Sequence, residues 1–71
     1  MKNIKRIRVI NDYTQTKVQM ETGISQSALS KYESGTALPT IENLMILAKY
    51  YNTSLDYLMD LTDEPKPYPQ K

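Results

Sequence analysis

Seventy-one residues carry a net charge of +1 with no cysteine and no histidine, which predicts one small domain without disulfides, thiolate metal sites, or the usual general base and zinc ligand. A chain of this size buries only about 60% of the surface its unfolded form exposes, so its packing must be regular. No run of about 18 apolar residues offers a membrane span, and Lys2, Lys5, Arg6 and Arg8 interrupt the N-terminal isoleucines where a signal peptide is continuously apolar.

The first predicted helix runs from Asn3 to Ile10, with Ile4 and Ile7 inward. Asn11-Asp12 forms a turn, since both residues tolerate left-handed backbone. Thr14 is an N-cap for the second helix, and Gly23 ends it with the positive φ of a C′ position. Ser25 caps the third helix, Gly35 closes it, and Pro39 prevents its resumption. Val18, Ile24, Leu29 and Tyr32 are placed to hold these two helices together, leaving Gln26, Ser27, Ser30 and Lys31 outward. This is the pattern of a helix-turn-helix, whose second helix enters the DNA major groove. The bare spacing also fits an ordinary αα-hairpin with a solvated polar face.

A fourth helix begins after Pro39, capped by Thr40, with Glu42 favourable in its first turn. Its apolar stripe is Ile41, Leu44, Leu47, Ala48 and Tyr51. A fifth starts at Ser54 and carries Leu55, Leu58 and Leu61. No sustained apolar alternation predicts a strand. The expected fold is all-α, with a domain over residues 1–63. Residues 64–71 have proline at every second position from Pro65 to Pro69, which excludes helix and favours extended backbone. This tail reads as a frayed end, or as an arm that packs Tyr68 on a second subunit.

Charge is uneven along the chain. Residues 1–33 hold six basic side chains (Lys2, Lys5, Arg6, Arg8, Lys17, Lys31) against three acidic ones (Asp12, Glu21, Glu33), a net +3. Residues 34–71 hold three basic against five acidic (Glu42, Asp56, Asp60, Asp63, Glu64), a net −2. One half suits phosphates, the other solvent or a partner.

Residues 3–63 resemble the DNA-binding domain of the phage-repressor and Cro type, the XRE family. The resemblance is carried by Ile4, Ile7 and Arg8, then Thr14-Gln15, Gly23-Ile24-Ser25-Gln26 and Ser30-Lys31-Tyr32-Glu33-Ser34-Gly35. Pro39-Thr40, Leu47-Ala48 and Ser54-Leu55-Asp56-Tyr57-Leu58 complete the ordered set. It implies a compact five-helix, lambda-repressor-like domain of prokaryotic or phage origin, cytoplasmic, needing no cofactor. Thr14, Gln15, Ser25 and Ser34 match positions that contact DNA phosphates, as helix N-termini favour. Gln26, Ser27 and Lys31 match positions that reach base edges, Gln suiting adenine and Lys suiting guanine. Arg8 and Glu33 match a structural ion pair. The chain departs from the family at three places. Gln19 stands where alanine is usual, so it must slide out along the helix or find a partner. The loop Thr36-Ala37-Leu38-Pro39 lacks basic residues, which implies modest, salt-sensitive nonspecific affinity. Asp12 replaces a frequent glycine.

The resemblance implies a sequence-specific double-stranded DNA-binding transcriptional regulator, a repressor, acting as a homodimer on a palindromic operator with half-sites about 10 bp apart. An alternative is an antitoxin-like or antirepressor-like module that binds a protein through the fifth helix and the tail. Tyr57, Met59, Leu61 and Tyr68 are the candidate dimer or partner contacts. An enzyme is the least favoured class, because no histidine or cysteine is present and the carboxylates show no convergent pairing.

Overall fold

Hydroxyl side chains start four of the five helices that the computed structural model, describing residues 1–67, contains. The helices are α1 (Lys2–Ile10), α2 (Gln15–Thr22), α3 (Gln26–Ser34), α4 (Ile41–Tyr51) and α5 (Leu55–Leu58). Thr14, Ser25, Thr40 and Ser54 each accept from the backbone N–H three residues on, satisfying one of the orphan donors of a first turn. Gly23 and Gly35, both at φ 81°, and Asn52 at φ 53° end α2, α3 and α4 in left-handed backbone. Asp12 takes φ 61° in the turn after α1. Among the described residues no strand occurs.

Helix α3 packs on α1 and α2, and α5 packs on α1 and α4. The core joins Ile4 and Ile7 to Val18, Ile24 and Leu29, then to Leu44, Leu47 and Leu58. Ile41 is a correction to the expected stripe, because it is 67% exposed. Residues turn by about 100° along a helix, so Leu44, Leu47 and Tyr51 share one narrow arc, and Ile41 lies roughly a quarter-turn from its centre. The expected fifth helix is corrected as well. It is a single turn, ended when Asp60 takes φ 64°. Leu61 therefore falls beyond the helix and is exposed, as is Leu55.

The two ends of the described chain are bonded together. Met1 gives α1 no side-chain cap, and the Asp60 carboxylate takes that role. It accepts from the Lys2 and Asn3 backbone N–H groups at 3.0 and 2.8 Å. A carboxylate there also suits the positive end of the helix dipole. Asn3 is fully buried, and its Nδ2 donates to the carbonyls of Tyr57 and Thr62 at 2.9 and 3.1 Å. Residues 64–67 turn back onto the body, where Thr53 Oγ1 donates to the Pro65 carbonyl and Pro67 lines an open cavity together with Met45 and Leu55.

Candidate functional site

The turn between α2 and α3 is set by three short-range contacts. The Gly23 N–H donates to the Gln19 carbonyl. Thr22 Oγ1 donates to the Val18 carbonyl at 2.7 Å and accepts from the Ile24 N–H at 3.2 Å. Ile24 is thereby turned into the core, and α3 starts with its polar residues outward. Gln26, Ser27, Ser30 and Lys31 are all exposed on α3. Among the described residues, no carboxylate lies within ion-pair distance of Lys31.

Gln26 is held twice. Its backbone N–H donates to Gln19 Oε1 at 2.6 Å, and its side-chain Nε2 approaches Gln15 Oε1 at 3.5 Å. Gln19 has thus slid outward and found its partner at the N-terminus of α3. It adds a second cap to that of Ser25 and fixes the backbone of the first α3 residue. This positioning role is absent from the expected site. The spacing of Gln15 and Gln19, four residues apart on one helix face, was the available signal.

The hydroxyls expected at phosphates differ in what they have to offer. Thr14 and Ser25 use their oxygens to accept from Lys17 and Ala28 N–H groups, which leaves each O–H proton free to donate. Ser34 donates to the Lys31 carbonyl, so the neighbouring Thr36 hydroxyl donates to it. Both protons of that pair are committed within the chain.

Behind this edge, Arg8 donates through Nε and Nη2 to the two oxygens of Glu33 at 2.8 and 3.0 Å. Its Nη1 donates to the Tyr13 carbonyl at 2.9 Å. Glu33 raises the Arg8 pKa, burial opposing it. Gln15 Nε2 also donates to Glu33, at 3.2 Å. Tyr51 packs against Tyr13, with its hydroxyl pushed up by burial and then by Glu33. Tyr50 is pushed up by burial and by its hydrogen bond to Glu21. That bond, with Lys17, draws Glu21 down.

These contacts reduce the cationic surface expected from the N-terminal half. Arg8 is consumed by Glu33, Lys17 pairs with Glu21 at 3.1 Å and sits over the Tyr13 ring, and Arg6 lies 3.7 Å from Asp63. A count along the sequence sees the charges but not their partners.

The proposed partner patch is also redrawn. Tyr57 is 1% exposed, a core residue of the helix that packs on α1 and α4, and so offers no surface to that patch. Met59 and Leu61 are exposed, and Tyr68 lies outside the described residues. No described helix is long and apolar enough to cross a membrane.

A family model described as helix-turn-helix matches residues 4–58. The chain is 33% identical over 64 residues to YobD of Bacillus subtilis, an uncharacterized HTH-type transcriptional regulator, covering 90% of the chain and 57% of that protein. It is 37% identical over 65 residues to the antitoxin PezA of Streptococcus pneumoniae, covering 92% of the chain and 39% of PezA. It is 47% identical over 45 residues to the cryptic phage CTXphi transcriptional repressor RstR of Vibrio cholerae, covering 63% of the chain and 40% of RstR. The chain therefore spans between two fifths and three fifths of these relatives' lengths. No solved structure matches it significantly.

Proposed function

The chain belongs to the helix-turn-helix family, and from that premise we propose that it is a sequence-specific double-stranded DNA-binding transcriptional regulator, a repressor. Helix α3 lies in the major groove, with Gln26, Ser27 and Lys31 at base edges. Thr14, Gln15 and Ser25 hold phosphates at the groove's rim, and Ser34 joins them by exchanging its internal bond for a phosphate oxygen. The observation that carries this reading is the exposed polar face of α3, whose first residue is anchored by Gln19 and approached by Gln15. Similarity to a transcriptional regulator, YobD, and to a transcriptional repressor, RstR, supports a regulatory role.

One α3 reads too few base pairs for genomic selectivity, so a homodimer on a palindromic site completes the proposal. Its contact is built from Met59 and Leu61, whose exposed apolar side chains meet their copies across a two-fold axis. Residues 1–63 form the DNA-binding unit and 64–71 an appended tail. The protein acts in the cytoplasm and needs no cofactor. Selection of duplexes from a random pool tests this. It should return a dyad-symmetric motif with half-sites about 10 bp apart. No enriched motif, or one without dyad symmetry, contradicts it.

Similarity to an antitoxin over 92% of the chain favours a second reading, in which the Met59–Leu61 surface binds a different protein. One protomer per operator in sedimentation is the outcome that favours it over the homodimer.

A further inference from the structure

Four side chains make a continuous line from the interior to the exposed edge of α3. Arg8 donates to both oxygens of Glu33, Gln15 Nε2 donates to Glu33 Oε1, and Gln26 Nε2 points to Gln15 Oε1. Each glutamine amide can turn over, exchanging its donor and acceptor ends with almost no change of shape. The carboxylate of Glu33 has no such freedom. Gripped by the guanidinium fork, it offers only acceptors. Gln15 must therefore present its NH2 group to Glu33, which turns its Oε1 toward Gln26. Gln26 then presents its own NH2 group to Gln15.

This polarity matters at a base edge. A bidentate contact to adenine needs Oε1 to accept from N6 and Nε2 to donate to N7. Turning the Gln26 amide over sets donor against donor and acceptor against acceptor. The last link, 3.5 Å long, is weak as a bond but still favours one amide orientation electrostatically. Glu33 itself is nearly buried, with a side chain 5% exposed on the inner side of α3.

We propose that Glu33 is a positioning residue for base specificity, setting the amide orientation of Gln26 through Gln15. The proposal rests on the reading of Gln26 as a base contact. It gives Glu33 a second role beyond tying α1 to α3.

The test uses the full chain and a random duplex pool. Gln26→Ala first identifies the base position that Gln26 reads. Glu33→Gln can donate or accept, so it releases the amide of Gln15. Discrimination at the Gln26 position should fall about tenfold, with the preference at the Lys31 position kept. Gln15→Met cuts the line but keeps the Arg8–Glu33 pair, and should lose the same discrimination. Adding Glu33→Gln to Gln15→Met should cost nothing further at that base. Without DNA, the Gln26 side-chain NH2 signals in a nitrogen-15 spectrum should move in both single variants. Full discrimination in a folded Glu33→Gln, or in Gln15→Met where Glu33→Gln does not fold, overturns the proposal. A motif unchanged in Gln26→Ala overturns the base-contact reading itself, and the NH2 signals then still report whether Glu33 orients the two amides.

Discussion

The helix-turn-helix over residues 14–35 and the clasp between residues 2–3 and 57–62 are built on opposite plans. The first has its helix ends and turn set by near neighbours, with caps and turn bonds spanning two to four residues. The second joins groups 54 to 59 residues apart. The first keeps polar side chains outward and uses backbone to set them. The second buries an asparagine completely and spends its polar groups on closing the chain. One region therefore presents exposed polar side chains that lie outside the core. The other holds the scaffold that carries it.

Substitutions on the scaffold should cost the most. Tyr57→Ala should lower unfolding stability by about 3–5 kcal/mol in urea titrations, because a fully buried ring leaves a cavity. Met59→Asp, two residues on, should leave each monomer within about 0.5 kcal/mol. It should instead weaken self-association and operator affinity together. Equal stability losses at the two positions would erase the distinction between core and contact surface.

The Arg8–Glu33 pair joins α1, whose start is held by the clasp, to α3. Either residue changed to alanine should cost about 3 kcal/mol, the low end for a buried pair because the Arg8 side chain is 15% exposed. The double variant should cost less than the sum. Strict additivity would mean that the two charges do not hold each other.

Asn3→Ala should cost about 1–3 kcal/mol, since it removes two side-chain hydrogen bonds, to the Tyr57 and Thr62 carbonyls, of which Tyr57 keeps its bond from the Asp60 N–H. The selected DNA motif should not change. A changed motif with unchanged stability would break the division of labour between the two regions.

The smallest effect is in alkali. Tyr50, Tyr51 and Tyr57 all have hydroxyls held above the ordinary tyrosine value of 10.0, chiefly by burial. Their unfolded forms release protons first, so stability present below pH 10 declines above it. A spectrophotometric titration should show part of the tyrosine signal appearing only with unfolding. A single smooth titration in the folded state would contradict the packing.

The sequence made the first region legible and the second obscure for the same physical reason. Thr14, Gly23, Ser25, Gly35, Thr40 and Ser54 act on residues within one turn, so their types suffice to place them. Asn3 and Asp60 act across the fold, and nothing within a few residues of either announces a partner. Tyr57 and Met59 look alike as apolar residues near the chain's end, and only the packing of α5 on α1 and α4 separates them. Gln19 fell between the cases. Its misfit with an alanine position was visible, but its bond to the Gln26 N–H depended on the turn that follows.

Titration of the chain onto its selected duplex, alongside the Gln26→Ala and Lys31→Ala variants, tests most directly whether α3 reads DNA. Each variant should bind the preferred site about 1–3 kcal/mol more weakly, relax the preference at its own base, and unfold at the wild-type denaturant midpoint. Unchanged affinity together with an unchanged motif in both variants would contradict the assignment of α3 as the reading helix.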